Sequence, residues 1–518
     1  MTLFINKTRP LLLLLLLPGL VMLSSARSHA WSSFSSQPSS STQPSSSMQS
    51  SSHARPSRAL TSPSTATVLQ PAHLLDTRAV SRPAHLFDIS SVPHPTDLSD
   101  TTVPRPKNLP DSTLLDLTEK QTFKYFWDFA HPVSGLSRER SNVAYNYGHE
   151  VCTIGGSGFG IMAIIVGTER KWITREQAVD RLLKEINFLA KADSYHGIFP
   201  HWLNGETGKT IPFSRKDDGA DLVETSYLME GLLCARQYFN GHDGKETELR
   251  NRINWLWQEA EFNWHTRGGL DLLYWHWSPN NGWSMNFELR GWNECLITYV
   301  LAASSPRYPI SPEVYHHCWA ESTHFYNGKS FYGITLPLGF DYGGPLFFAH
   351  YSFLGLDPRG LKDRYADYWE QNKNHTLINR EHCVRNPNHF KGYGPDCWGL
   401  TASDNYEGYN AHSPTNDLGV ITPSAALSSF PYTPQYSMQA LRYFYERLGD
   451  KIWGEYGFTD AFSEERNWYA TEYLAIDQGP EIVMIENYRS GLLWKLFMSC
   501  PEIQTGLKKL GFTSPWIK

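Results

Sequence analysis

The chain has 518 residues, 41% of them hydrophobic and 14% aromatic, with a formal net charge of −6. Its first 110 residues carry nine Lys/Arg and four Asp, which leaves about −11 on the remainder. That balance excludes nucleic acid and anionic lipid as partners and suits a neutral substrate handled by carboxylates.

Residues 1–30 read as an export signal. Lys7 and Arg9 form a charged start, Leu11 to Leu23 a short apolar run, and Ser24-Ser25-Ala26 or Ser28-His29-Ala30 a small-residue cleavage site. The run is broken by Pro18 and is too short for a membrane span. The expected location is therefore secreted or periplasmic, with no membrane contact beyond export. Residues 31–110 are rich in Ser, Pro, Thr and Gln. Such a segment buries too little apolar surface to offset its chain entropy and is expected to be a disordered linker. Within it Pro71-Ala72-His73-Leu74-Leu75-Asp76 recurs as Pro83-Ala84-His85-Leu86-Phe87-Asp88, a local duplication and not a solenoid.

Residues 111–518 are expected to form the folded domain, acting as a monomer. Apolar residues recur at three- and four-residue spacing near 113–131, 173–193, 222–240, 246–263, 288–303, 312–326, 361–375, 436–449 and 480–497. Strand patterns are few; Tyr332-Gly333-Ile334-Thr335-Leu336 is one. Periodicity gives an all-α domain. With weaker segments counted, about a dozen amphipathic helices joined by long loops suggest hairpins closed into a ring, an (α/α)6 barrel. Seven cysteines are scattered without metal-ligand spacing, so no metal and no cofactor is expected. Cys383 and Cys397 bracket a Pro/Asn/Gly-rich loop and form the best disulfide pair, whereas Cys234, Cys295 and Cys318 read as buried thiols.

The run Lys216-Asp217-Asp218-Gly219-Ala220-Asp221-Leu222-Val223-Glu224-Thr225-Ser226 places four carboxylates at the mouth of an apolar helix. Asp221 and Glu224, three apart, share one face. Capping explains one acidic residue there; four point to glycoside chemistry, which needs paired carboxyls on a rigid scaffold. Glu294 in Gly291-Trp292-Asn293-Glu294-Cys295 precedes an apolar helix, Asp477 lies in a turn before a helix from Glu481, and Asp404 lies in the loop from Trp398 to Tyr406. Aromatic rings in Tyr274–Trp283 and Trp398–Tyr406 can stack on sugar faces. Asp217, Trp277, Trp283, Trp292, Asp404, Tyr406 and Arg140 are the expected substrate contacts.

Residues 111–513 resemble the glycoamylase-like family, which includes secreted bacterial β-1,2-glucanases. The matching runs are Asp221-Leu222-Val223-Glu224-Thr225, Gly291-Trp292-Asn293-Glu294, Tyr393-Gly394 through Trp398-Gly399-Leu400-Thr401-Ala402-Ser403-Asp404, and Ala475-Ile476-Asp477-Gln478-Gly479-Pro480 through Glu486-Asn487-Tyr488. The resemblance implies an (α/α)6 barrel hydrolysing β-1,2-glucan without metal, with acidic residues matching Asp217, Asp221, Glu224 and Glu294. Related domains transglycosylate, so it leaves the reaction outcome open.

The expected activity is endo-acting, inverting hydrolysis. Trp292, Cys295 and Leu296 solvate a charge poorly, so Glu294 is the expected general acid. Asp221, Glu224 and Asp477 compete for the base and sugar-binding roles. The alternatives are exo-acting release of sophorose and cleavage of cyclic or branched glucans. From other classes come a polysaccharide lyase, for which Arg138, Arg140, His201 and Arg489 are candidates, and a non-catalytic glycan-binding protein. Net negative charge argues against the lyase, and the retained acidic runs argue against the binding protein.

Overall fold

The computed structural model describes residues 105–142 and 148–517. Its helices in chain order are α1 (Asp111–Trp127), α2 (Ile154–Glu169), α3 (Arg175–Leu189), α4 (Leu222–Tyr238), α5 (Gly244–Glu259), α6 (Leu296–Ser304), α7 (Pro312–Val314), α8 (Tyr368–Arg385), α9 (Pro423–Leu427), α10 (Pro434–Glu446), α11 (Gly449–Ile452), α12 (Ala475–Arg489), α13 (Leu492–Met498) and α14 (Pro501–Lys509). The described strands are short and antiparallel. β1 (Val151–Thr153), β2 (Trp202–Asn204) and β3 (Thr210–Ile211) form one sheet; β4 (Ala220–Asp221) pairs with β5 (His276–Trp277), β6 (Ser330–Phe331) with β7 (Ile334–Thr335), and β8 (Ala402–Asn405) with β9 (Gly408–Ala411). The fold is thus mainly helical.

Local chemistry sets the helix limits. Thr174 and Gln177 close a reciprocal capping box on α3. Asp221 caps α4 and Asp367 caps α8, which Asn386 ends in the left-handed conformation. These caps move α8 from the expected 361–375 to 368–385. The helix expected over 288–303 begins only at Leu296, and that expected over 480–497 is two helices broken at Gly491. Pro480 does not end a turn but lies inside α12, where it removes one backbone donor. Asp477 therefore sits in the first helical turn, not before it. The expected strand at Tyr332–Leu336 is a hairpin, with Tyr332 and Gly333, both at positive φ, making the turn between β6 and β7.

Helix α2 escapes the periodicity reading. All of it except Glu169 is buried, and a helix apolar on every face shows no stripe. It packs between α4 and α12. A Cβ on Gly158 would lie 2.1 Å from the Tyr227 carbonyl oxygen, and one on Gly231 would lie 2.2 Å from that of Gly158. The two backbones touch, which only glycine permits.

The expected signal at 1–30 and linker residues 31–104 lie outside the described residues. Residues 105–110, grouped with the linker by composition, carry contacts: Arg105 reaches the Tyr445 carbonyl and Asp450, and the Leu109 carbonyl accepts from Arg442. All seven cysteines are free and buried. Cys383 and Cys397 are thus not bonded, and their burial makes them packing residues. Among the described residues no helix is long and apolar enough to cross a membrane.

Candidate active site

Glu224 and Asp477 each lie in the first turn of a helix and bond the first turn of a neighbouring one. Glu224 in the first turn of α4 accepts the Gly155 N–H from the first turn of α2 at 2.8 Å. Ser424 in α9 donates to Asp477 Oδ1 in α12 at 2.8 Å. Glu294 lies just before α6, and its carbonyl accepts from Tyr227 and Ser352. Helix N-termini carry partial positive charge, so carboxylates gather there at reduced cost.

Asp221 is the hub. It is fully buried, and both oxygens are occupied. Oδ1 accepts the N–H groups of Val223 and Glu224 at 3.0 Å each and the Trp275 indole N–H at 2.8 Å. Oδ2 faces His201 Nδ1 at 2.9 Å and His276 Nε2 at 3.4 Å. The β4–β5 register, which pairs Asp221 with His276, places the second ring. Burial alone would raise this carboxyl; the bonds from His201 and His276 win and hold it well below the usual carboxylate range.

Asp217, held on a tight turn closed by Ser214, adds Oδ2 at 3.2 Å from His276 Nε2 and 4.0 Å from His201 Nδ1. The far nitrogen of His201 lies 3.9 Å from Glu224 Oε1, and its ring stacks on Phe213 at 4.1 Å. Burial opposes a charge on either imidazole. Glu224 and Asp221 nevertheless lift His201 to about 9, and Asp217 and Asp221 lift His276 to about 10. His201, Asp217 and Asp221 bring ligand-type atoms within 4.8 Å of one another, so this is where a cation could be held. Their separate segments hide that grouping from sequence spacing.

Glu294 is 6% exposed and its Oε2 has no partner. Burial, aided by the charges of Glu224 and Asp221, pushes it up to about 7. Burial also raises Glu224, with His201 opposing and Asp221 reinforcing. Asp477 rises for the same first reason, with Ser424 and a side-chain hydrogen bond to Asp460 opposing.

The other expected residues fall into three places. Arg140 donates to Asp404 Oδ2 and Glu139 Oε2, each at 2.8 Å, and the Asp404 N–H bonds Asp460 at 2.7 Å, so these belong to a second polar group on the Asp477 side. Trp277 and Trp283 join Trp264 in an aromatic cluster, with Trp264 36% exposed. Tyr406 spends its hydroxyl on the Leu418 carbonyl and lies under Arg466. Trp292 does not fit its expected role. It is 1% exposed and packs among Trp319, Phe353 and Tyr368, so it offers no ring face to a sugar. Its bulk serves the core, the commoner fate of a large aromatic. Sequence reasoning missed His276 and Asp460; it weighed His201 only for a lyase and Trp275 only as one ring of the Tyr274–Trp283 run. Only the adjacency of His276 to Trp277 hinted at one of the missed pair.

The family model described as "Glycoamylase: Putative glucoamylase" matches residues 286–501. A solved structure from Bacteroides uniformis, under the same description, is 63% identical, with a TM-score of 0.78 over 80% of this chain and 100% of its own. An endo-β-1,2-glucanase from Chitinophaga pinensis, solved with sophorotriose and glucose, is 59% identical, with a TM-score of 0.77 over 79% of this chain and 100% of its own. An exo β-1,2-glucooligosaccharide sophorohydrolase of Parabacteroides distasonis is 46% identical over 434 residues, covering 80% of this chain. The chain spans 59% of the length of that curated relative. Two solved relatives matched over their full length, at 63% and 59% identity, show that this chain belongs to the glycoamylase family.

Proposed function

We propose that the chain is a glycoside hydrolase that cleaves β-1,2-glucosidic bonds in β-1,2-glucan. The carrying observation is Glu294, a buried carboxyl with an unpartnered oxygen and a proton retained to about pH 7, beside a second raised carboxyl, Glu224. Glycosidic cleavage needs that combination: a protonated acid for the leaving oxygen and a carboxylate for water.

The roles follow from occupancy. Glu294 donates the proton. Asp221, with five donors on two oxygens, has no lone pair aimed at a water and acts by positioning α4 and the two imidazoles. The base is therefore Glu224 or Asp477, neither of which is saturated by N–H donors as Asp221 is. Trp277 and Trp283, with Trp264, supply stacking surface; Asp217, Asp404 and Arg140 bond sugar hydroxyls. Endo action is favoured over exo because the endo-acting relative matches at higher identity and over its whole length. An inverting outcome, closure of the helices into an (α/α)6 ring, and export of a monomeric protein complete the reading. The first rests on the family likeness, the second on the side-by-side packing of α1, α2, α4 and α12, and the third on the N-terminal sequence.

Incubation with linear β-1,2-glucan tests the activity. Mid-chain cuts give a falling ladder of oligosaccharides, whereas exo action gives a single disaccharide from the start. No cleavage of this glucan would refute the reading. The anomer first seen by NMR reports inversion. External formate or azide restoring turnover to Glu224→Ala but not to Asp477→Ala would name the base.

A further inference from the structure

We propose that His201, Asp217, Asp221 and His276 bind a divalent transition cation of the zinc class, and that filling this site arrests turnover by taking Asp217 from the substrate. The arrest, but not the binding, rests on the hydrolase reading above.

The donor set has the right chemistry. Two imidazole nitrogens and two carboxylate oxygens suit zinc, whereas Mg²⁺ and Ca²⁺ select all-oxygen sites. The spacing fits as well. Zinc bonds of 2.0–2.2 Å in a tetrahedron put ligand atoms about 3.3–3.6 Å apart. The observed separations are 2.9 and 4.0 Å from His201 Nδ1 to Asp221 Oδ2 and Asp217 Oδ2, and 3.4 and 3.2 Å from His276 Nε2 to the same oxygens. These four edges need adjustments of a few tenths of an ångström; His276, outside the set of ligand atoms that all lie within 4.8 Å of one another, must also move toward His201 to complete the tetrahedron.

Two further observations point to a ligand. Asp217 is 4% exposed, and its Oδ1 has no hydrogen-bond partner, so the carboxylate whose Oδ2 faces both imidazoles has unused bonding capacity. The ligands are also held in place beforehand. Asp221 is pinned by three donors on Oδ1, His276 faces it across the β4–β5 pair, and the His201 ring lies against Phe213. Competing soft ligands are withdrawn, because all seven thiols are buried.

Binding must displace the protons that each imidazole shares with a carboxylate. It would also place a double charge beside Glu224, whose Oε1 lies 3.9 Å from the far nitrogen of His201. Sugar hydroxyls would lose Asp217 to the ion, which removes a substrate contact.

The test uses enzyme stripped with EDTA and returned to metal-free buffer. Titration calorimetry with ZnCl2, against MgCl2 at equal ionic strength, should show one zinc per chain and no magnesium, together with a raised melting temperature. Saturating zinc should lower glucan turnover at least about tenfold, and EDTA should restore it. Asp217→Asn and His276→Gln should each weaken zinc binding by about tenfold or more; using both guards against one failing to fold. No bound zinc, or unchanged affinity in either folded variant, would overturn the site. Stripped enzyme that needs zinc for turnover would overturn the arrest. Zinc bound as described to a protein that never cleaves β-1,2-glucan would leave the site standing and remove the hydrolase reading.

Discussion

Trp275 donates its indole N–H to Oδ1 of Asp221, the same oxygen that caps helix α4. One carboxylate thus fixes a helix end, an aromatic ring and, through its other oxygen, two imidazoles. Trp275→Phe removes one of these donors and should cost about 1.5–3 kcal/mol of stability, the range for a hydrogen bond to a charged group. Asp221→Asn breaks the buried pairing with both imidazoles and should cost more, about 3–5 kcal/mol. Chemical denaturation of both variants checks the order. Equal losses would mean that the imidazoles contribute little.

Glu294→Gln keeps the side chain's shape but removes the transferable proton. Turnover on β-1,2-glucan should fall by about 10²–10⁴-fold, the usual share of general acid catalysis, with little change in substrate binding. Measuring melting temperature alongside turnover separates chemistry from folding. A folded variant working near the parent rate would move the acid role to Glu224 or Asp477.

The same residue makes a pH prediction with a definite sign. Its folded-state value of about 7 exceeds its ordinary 4.5, so between those values the folded protein holds a proton that the unfolded chain releases. Its stabilising share is complete below about 4.5 and is lost as pH rises through 7. From pH 5 to pH 8 the parent should therefore lose stability relative to Glu294→Gln, by on the order of 3 kcal/mol. In activity, kcat/KM should decline above about pH 7 as the acid ionises. An unchanged stability difference between pH 5 and 8 would contradict the burial argument.

Deletion of residues 31–104 should leave folding and turnover intact. The expectation rests on the low-complexity composition of that stretch. The cut stops before Arg105 because that side chain bonds the Tyr445 carbonyl and Asp450. Loss of most turnover in the shortened protein would show that the segment takes part in function.

The sequence disclosed what short-range physics controls. The cap at Asp221 and the amphipathic stripes of α3 and α10 are local, and the acidic run 217–224 announces itself by density. Helix α2 was hidden because total burial erases its stripe, and its glycines look like loop. The pairing of His201 and His276 with Asp221 was hidden because each reaches it only through folding, from 20 and 55 positions away. Trp292 misled for a related reason: a tryptophan beside an acid looks the same in sequence whether its ring faces a groove or a core.

The glycine contact between α2 and α4 gives the site a mechanical reference. Gly158 lies one turn below Gly155, whose N–H holds Glu224 at 2.8 Å, and Gly231 lies two turns along α4 from Glu224 itself. With no side chain between the two backbones, the gap between these helices can neither close further nor breathe open without losing packing. The spacing of Glu224 from its backbone donor is thus set at a point remote from any sugar. A single methyl added at Gly231 would act as a wedge, lengthening that hydrogen bond without touching the substrate.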